Sequence, residues 1–406
     1  MDTQNTPVHV KLWHREFWML AVANLLLMMS VYMLIPTLPP HLFREGLSAT
    51  EVGSVMGVYG IGLFLLGGFC SYWVQRYRRH HVCQYAIVGV VVSVALLYYL
   101  AHTNVHLGCW PYLLARLLQG ACLGLAQMTL SSTLVIDTCE SFLRTEANHS
   151  AAWFARFALS LGPMVALVGF FCFGFSAVLA LSMGFSICAV ALIGMVRFPF
   201  KAPEEHLVHF SLDRFFLPQG FTLFLNLVLI STVVGLLLSL PHAELFYGMM
   251  MVGFLVALLA EKFAFADADL KSEVVTGIIM LAAAVLILFT RHRVAVCFVA
   301  PAMIGFGVGI IGSRFLLFFI KLAKHCQRGT SQSAFFLAQE LGISIGLFLG
   351  IGFLGNHSVT PQLRGFLPVV HVAHENILLL SLVLLALSMV VYNFWVHPWY
   401  MKHRNR

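Results

Sequence analysis

The chain is dominated by apolar runs of about 20 residues, the length at which a helix rising 1.5 Å per residue crosses a hydrocarbon core of about 30 Å. Runs such as 86–100 do not alternate apolar and polar residues as the strands of a membrane barrel do. We therefore expect an all-α membrane protein with twelve transmembrane helices. The predicted spans are residues 17–39, 52–74, 82–101, 110–135, 150–172, 175–196, 216–239, 243–261, 273–290, 294–320, 332–354 and 376–396.

The composition excludes several other classes of protein. Of the 406 residues, 60% are hydrophobic and 10% are charged, whereas a typical soluble domain has about 25% charged residues. An ordinary soluble enzyme and a disordered chain are thus excluded. The nine cysteines are scattered through apolar stretches without a C-x-x-C pair, so we expect neither a disulfide framework nor a bound metal. No sequence pattern indicates a cofactor.

The basic residues predict the orientation. Twelve spans place both termini on one side, and if that side is the cytoplasm, 17 of the 24 Lys and Arg residues lie in inside segments and 4 in outside segments. This bias follows the positive-inside rule. We expect a multi-pass protein of the plasma (inner) membrane with cytoplasmic termini. The net charge of +7 then serves orientation and does not indicate a nucleic-acid partner.

The spans fall into two sets of six, separated by a polar stretch near 197–215. In each half, a loop arginine is followed 12 positions later by a charged residue and 18 positions later by a glycine, as Arg144, Arg156 and Gly162 and as Arg328, Glu340 and Gly346. Matching offsets favour a duplicated architecture. We predict an N-terminal six-helix bundle at 1–199, a cytoplasmic linker at 200–215 and a C-terminal six-helix bundle at 216–406.

Several segments resemble the major facilitator superfamily. Residues 36–53, from the end of the first span into the second, resemble the corresponding segment of that superfamily. Residues 71–80, SYWVQRYRRH, are similar to its signature G-x-L-A-D-R-x-G-R-K, with Gln75 at the position of the aspartate. The resemblance implies two pseudo-symmetric six-helix bundles around a central cavity that opens alternately to each side.

Two further motifs carry the same resemblance. The sequence from Arg116 to Gly120 matches the fourth-helix signature R-x-x-Q-G, and Gly162-Pro163 resembles the fifth-helix G-P motif associated with antiporters. The first motif implies that Arg116 and Gln119 face the transport pathway. Pro163 predicts a kink in the fifth helix, because proline leaves a carbonyl one turn earlier unpaired.

Charged residues within the spans are the main candidates for function, because burying a charge in a bilayer costs at least about 2.5–3.5 kcal/mol. Arg116 shares one helix face with Gln127, which forms either a cavity wall or a helix–helix seam. Arg156 and Glu340 each lie about 18 Å from a loop arginine, close to the middle of the membrane. We expect them to line the substrate cavity, with Glu340 as the proton-coupling group. The alternative is a static ion pair between the two halves.

The predicted cytoplasmic ends of the spans carry a second group of candidates. Charged and polar side chains there could form gating contacts that break when the cavity opens inward, or could be solvated loop residues that serve orientation alone. The gating candidates are Gln75, Arg76, Arg79, Asp137, Arg144 and Arg328. Arg314, near the inner end of the tenth span, is expected to extend its charge toward the membrane surface.

These features predict a secondary active transporter that moves a small organic solute by alternating access. Because the sequence contains no Walker A motif, we expect coupling to an ion gradient, with protons as the coupling ion and export as the direction, and a monomer. One alternative is an uptake symporter of the same fold. Another is a multi-span membrane enzyme such as a lipid or acyl transferase, although no catalytic constellation stands out.

Overall fold

The computed structural model of the chain is a bundle of long helices. It describes residues 11–103, 108–140, 142–198, 208–265, 269–290, 295–324, 327–355 and 375–404. The helices are α1 Arg15–Arg44, α2 Ala49–Leu65 with Gly67–Arg76, α3 Arg79–His102, α4 Trp110–Asp137, α5 Arg144–Phe173, α6 Phe175–Met195, α7 Pro218–Leu238, α8 Glu244–Phe263, α9 Leu270–Thr290, α10 Val296–Leu322, α11 Arg328–Leu354 and α12 Glu375–His403. Within the described ranges, eleven are long and apolar enough to cross a membrane, and the two parts of α2 make up a twelfth span.

The predicted spans coincide with these helices to within a few residues, and the all-α prediction is confirmed. The largest differences are at the end of α12, which continues to His403 and not to residue 396, and at the start of α5, which begins at Arg144 and not at residue 150. Arg144 and Arg328 are the first residues of α5 and α11 and not loop residues. Of the predicted linker, positions 200–207 lie outside the described residues.

One feature of α2 has no counterpart in the predicted spans. Its two parts, Ala49–Leu65 and Gly67–Arg76, meet at an angle of 44°. Two aromatic rings from the segment before α7 occupy the space at this bend, where a Cβ on Gly67 would overlap Phe215 and a Cβ on Gly68 would overlap Phe210. Glycine favours such a site because it has a low helix propensity and leaves room for a neighbouring ring.

Helix packing repeats between the first six helices and the last six. Helix α1 packs on α5 as α7 packs on α11, and α2 packs on α4 as α8 packs on α10. Small residues lie at these crossings: an ideal Cβ on Gly124 would lie 2.5 Å from the carbonyl oxygen of Leu63 on α2, and a Cβ on Gly305 would overlap the carbonyl oxygen of Met250 on α8. Such small-residue contacts let helices approach closely.

The bundle is closed at both ends. We call the end that carries both chain termini the inner end and the opposite end the outer end. At the outer end, α2 and α11 touch, and an ideal Cβ on Gly53 would lie 2.7 Å from the Cα of Gly352. At the inner end, α4 and α11 touch, and a Cβ on Gly329 would lie 2.6 Å from the carbonyl oxygen of Ser132. The two halves thus meet at both ends of the bundle.

Pro163 lies inside α5, which continues without interruption from Arg144 to Phe173. The preceding residue, Gly162, lies against α1, and an ideal Cβ there would be 3.0 Å from the carbonyl oxygen of Met29. Gly162 therefore allows a close crossing of α1 and α5, while the kink at Gly162 and Pro163 stays a prediction.

Candidate functional site

The side chain of Glu340 is completely buried at the interface between the two halves. Glu340 belongs to α11, and its carboxylate accepts hydrogen bonds from two tyrosine hydroxyls of the first six helices. Tyr32 on α1 donates to Oε1, and Tyr59 on α2 donates to Oε2 at 3.1 Å. Hydrogen bonds to a charged group contribute roughly 1.5–3 kcal/mol each. One carboxylate thus links α1 and α2 to α11.

Arg116 lies over the ring of Tyr59. Its guanidinium carbon is 4.8 Å from the centre of the Tyr59 ring, within range for a cation–π interaction. Its Nη1 donates a hydrogen bond to Oε1 of Gln119, which is also buried. Tyr59 thus contacts both charged residues, with its ring on the guanidinium of Arg116 and its hydroxyl on the carboxylate of Glu340.

Arg156 is buried on α5 and reaches toward the second half. Its guanidinium carbon lies 4.8 Å from the ring centre of Trp153 and 5.9 Å from that of Phe335 on α11. On α10, an ideal Cβ at Gly312 would lie 2.7 Å from Nε of Arg156. The absence of a side chain at Gly312 therefore makes room for the arginine.

A small cavity of about 30 Å³ lies between the two halves, with room for about two water molecules. Arg156 and Glu340 both line it, as the sequence spacing predicts for a shared cavity. Gln127 lines it too. Arg116 and Gln119 are not among its lining residues; Arg116 lies on the Tyr59 ring and bonds to Gln119 instead. The other lining residues are Asn24, Met28, Tyr32, Ser131, Ala151, Ala152, Ala155, Gln332, Phe335, Phe336 and Gln339.

Gln127 belongs both to a helix–helix seam and to the cavity wall, the two alternatives that the sequence left open. Its side-chain amide donates a 2.8 Å hydrogen bond to Asn24 on α1, and Asn24 donates in turn to the carbonyl oxygen of Ala151 on α5 at 3.0 Å. The three residues form a polar seam across α4, α1 and α5, and each of them lines the cavity. The seam therefore forms part of the cavity wall.

The structure does not contain the static ion pair that is the alternative interpretation of Arg156 and Glu340. Among the described residues, no ion pair or hydrogen bond joins them. The carboxylate is held by Tyr32 and Tyr59, and the three guanidinium nitrogens of Arg156 have no hydrogen-bond partner in the described part of the chain. The two charged groups face the same cavity separately.

The segment Val208–Leu217, which we call the strap, crosses the inner end between the two halves. The carboxylate of Asp213 accepts hydrogen bonds from Ser71 on α2 at 3.3 Å and from Thr330 on α11 at 3.2 Å. The backbone N–H of Arg214 donates to the Thr330 hydroxyl oxygen at 2.8 Å. Asp213 thus contacts both halves through one side chain.

The predicted gating residues make mostly local contacts in this conformation. Arg79 and Asp137 form an ion pair, but it joins α3 to α4 within the first half. Gln75 donates to Ser71 of its own helix at 3.2 Å. Arg76 is exposed, while Arg144 and Arg328 begin α5 and α11. Within the described ranges, none of the six forms an ion pair between the halves.

A second contact between the halves at the inner end involves residues that the sequence did not single out. Ser313 on α10 donates to Glu261 on α8 at 2.6 Å, and Nε2 of His149 on α5 lies 2.6 Å from the Ser313 hydroxyl oxygen and 3.2 Å from Oε1 of Glu261. His149 therefore ties the first half to α8 and α10.

The expectation for Arg314 is wrong. Its side chain is largely buried, where it bonds to Glu273 on α9 and lies 3.4 Å from Oε1 of Glu261. Two acidic side chains inside the second half compensate its charge, so it does not need to reach the membrane surface. Among the described residues, no group of three or more His, Cys, Asp or Glu side chains is arranged to hold a metal ion.

Two closely packed sets of six spans, with charged groups buried around a cavity between them, define a secondary-transporter architecture. The family model of the Major Facilitator Superfamily matches residues 20–347. The chain belongs to the Major Facilitator Superfamily, as the sequence motifs predict. No curated protein matches it significantly.

Solved structures of transporters share the fold. The human organic anion transporter MFSD10 (TETRAN) superimposes with a TM-score of 0.67 and 14% identity over 93% of this chain and 98% of that one. The POT family transporter PepTSo gives 0.66 and 11%, over 96% and 99%. A bacterial homolog of the human lysosomal transporter Spinster, in an inward-facing, unoccupied conformation, gives 0.65 and 12%, over 96% and 98%. At these identities the similarity establishes the fold alone, and it agrees with the predicted architecture of two six-helix bundles.

Proposed function

We propose that the protein is a proton-coupled secondary transporter of a small organic solute, and that Glu340 is the group that binds the proton. The main support is the bonding of Glu340, a buried carboxylate that accepts hydrogen bonds from Tyr32 and Tyr59 of the opposite half. An ionised carboxylate only accepts, whereas a protonated one must also donate. Proton binding would therefore rearrange a contact that holds the halves together.

The physical consequence is a link between protonation and conformation. A charge-assisted hydrogen bond contributes roughly 1.5–3 kcal/mol, so rearranging one changes an equilibrium by about tenfold or more. A solute bound in the same cavity, which Arg156 and Glu340 both line, would experience that change directly. This coupling is the property that proton-driven alternating access requires.

For the direction of transport, we propose export in exchange for protons, on the basis of the Gly162-Pro163 motif in α5. Ala166 occupies the position where the superfamily motif has a further glycine, so the motif is incomplete and uptake by symport stays the alternative. We further propose that the protein acts as a monomer in the plasma (inner) membrane, with both termini and the strap on the cytoplasmic side. The positive-inside distribution of Lys and Arg supports this orientation.

The test is transport in proteoliposomes under an imposed pH gradient. A mixture of small organic solutes is supplied, and the vesicle contents are measured by mass spectrometry, with the gradient applied in each direction. We expect a solute gradient that forms only with a pH gradient in the wild type and is lost in Glu340→Gln. Glu375→Gln, the same change at an exposed carboxylate on α12, should transport like the wild type.

Two results would contradict the proposal. Unchanged pH-driven transport in Glu340→Gln would remove the coupling role of Glu340. Chemical conversion of a substrate by the purified protein, without movement across the sealed membrane, would favour the enzyme alternative. The direction of the pH gradient that drives accumulation separates exchange from symport.

A further inference from the structure

We propose that the transported solute is a monovalent organic anion, a carboxylate with an apolar or aromatic body, and that its carboxylate pairs with Arg156. This inference rests on the proposed transport function and adds the chemical class of the solute. It follows from the hydrogen bonds that Arg156 lacks, the rings on which it stacks, the charges around it and the lining of the cavity.

The first observation is that the guanidinium of Arg156 makes neither a hydrogen bond nor an ion pair with any residue that the structure describes. Its side chain is buried, and Nε, Nη1 and Nη2 all lack a hydrogen-bond partner among the described residues. The other arginines buried within spans differ, since Arg314 pairs with Glu273 and Arg116 donates to Gln119. An uncompensated charge at this depth is costly. A negatively charged ligand would remove that cost.

The second observation is the way Arg156 is held. The rings of Trp153 and Phe335 lie 4.8 and 5.9 Å from its guanidinium carbon. Stacking on aromatic rings occupies the faces of a planar guanidinium and leaves the N–H groups at its edge available. Two parallel N–H groups match the two oxygens of a carboxylate. Because Arg156 lines the cavity, a ligand in the cavity can reach this edge.

The third observation is that Arg156 is the charged group of the cavity wall that is left for a ligand. The other charged lining residue is Glu340, whose carboxylate accepts hydrogen bonds from Tyr32 and Tyr59. Glu261 in the second half is held by Arg314, His149 and Ser313. A ligand with one carboxylate matches this single guanidinium, whereas a dianion such as a phosphate monoester would bring a second negative charge beside the carboxylate of Glu340.

The lining of the cavity favours an apolar or aromatic body. Met28, Ala155, Phe335 and Phe336 present apolar surface close to Arg156. Aromatic side chains pack favourably against flat rings. A solute such as an aryl carboxylate would place its charged end on the guanidinium and its ring among these side chains. The closed cavity of about 30 Å³ would enlarge to admit it as the halves separate.

The experiment compares matched acids and amides on the purified protein in lipid nanodiscs. The probes are benzoate, phenylacetate and indole-3-acetate, each measured against its neutral amide, and the readout is the thermal unfolding midpoint. We expect the acids to raise Tm by about 2–5 °C at saturation and the amides to leave it unchanged. Arg156→Gln should abolish the shift. The matched control Arg44→Gln, at an exposed arginine on α1, should retain it.

Three results would contradict carboxylate binding by Arg156. Amides that bind as well as the acids, an acid-dependent shift that survives in Arg156→Gln, or a panel in which no acid raises Tm would overturn the inference. If Arg156→Gln does not fold, Arg156→Lys replaces it. This variant keeps the charge without the planar fork, and it should bind the acids more weakly than the wild type and still in preference to the amides.

The unfolding measurement needs no pH gradient, so the two proposals can fail separately. A carboxylate that binds through Arg156 but is not carried in proteoliposomes would confirm Arg156 as a carboxylate-binding group and refute its role in transport. Conversely, pH-driven transport of a neutral or cationic solute, unaffected in Arg156→Gln, would refute the inference and leave the transporter intact.

Discussion

Replacing Asp213 is expected to loosen the inner end of the protein. Its carboxylate accepts hydrogen bonds from Ser71 on α2 and Thr330 on α11, so a single side chain of the strap contacts both halves. Thr330 lies in the first turn of α11, where the helix dipole favours a nearby negative charge. Asp213→Ala removes these interactions, and Asp213→Asn keeps the size of the side chain but removes its charge.

The structure sets the size of the effect. The Asp213 side chain is 42% exposed, so each hydrogen bond belongs near the lower end of the usual 0.5–1.5 kcal/mol. The interaction with the helix terminus adds about 0.3–1 kcal/mol. In the alanine variant, the free energy of closing the inner end should therefore be about 1–2 kcal/mol less favourable. This change corresponds to a roughly 5- to 30-fold larger fraction of molecules with the inner end open. The asparagine variant should lose less.

The assay measures access to the cavity. Ala155 lines it, so a cysteine introduced by Ala155→Cys reports opening through its reaction with a polar maleimide. Mass spectrometry of the peptide that contains position 155 separates this reaction from that of the native cysteines. We expect labelling in the Asp213→Ala background to be about 5- to 30-fold faster, because the rate follows the open fraction when opening and closing are fast.

The matched control removes an acidic charge elsewhere at the inner end. Glu146 is exposed in the first turn of α5, and Glu146→Gln should leave the labelling rate unchanged. A rate in Asp213→Ala within twofold of the parent would refute the reasoning, since the strap would then contribute nothing to closure. Equal acceleration by both replacements would show a general effect of charge and not a bridging contact.

Two further predictions concern stability. Gly62→Ala should lower Tm by several degrees, because its Cβ would lie 2.5 Å from a main-chain carbonyl oxygen of α4 and overpacking costs roughly 1–3 kcal/mol. Gly184→Ala, which has open space around its Cβ, should leave Tm unchanged. Equal losses of Tm in the two variants would contradict the packing argument. Glu273→Gln should destabilise the second half by about 1.5–3 kcal/mol, because it removes one of the two acidic partners of Arg314 and leaves Glu261 in place. An unfolding midpoint equal to that of the wild type would contradict this assignment.

The sequence predicted the spans well because membrane crossing is largely a local property. A run of about 20 apolar residues is sufficient to indicate a span, whatever that run later packs against. The bend in α2 is different, since it depends on Phe210 and Phe215 occupying the space beside Gly67 and Gly68. These contacts join residues about 140 positions apart in the sequence, and no local pattern specifies them.

The candidate site could be predicted only in part, for a similar reason. Arg156 and Glu340 stand out because charge is rare within apolar runs and because they occupy equivalent positions in the two halves. Tyr32 and Tyr59 bond to Glu340, yet in the sequence they look like ordinary aromatic core residues. Asp213 lies in a stretch whose polarity predicts a linker, and only the folded chain brings its carboxylate between α2 and α11.

The position of Asp213 also suggests how the chain accommodates glutamine at position 75, where the resembling superfamily signature has aspartate. Gln75 donates to Ser71 at 3.2 Å, and Ser71 donates to Asp213 at 3.3 Å, so two hydrogen bonds connect the signature position to the carboxylate of the strap. The strap thus supplies a negative charge two hydrogen bonds away from position 75. If this explanation is correct, Gln75→Asp should partly restore slow labelling of the cavity in the Asp213→Asn background and have little effect alone. No restoration in the double variant would mean that the two positions are not interchangeable.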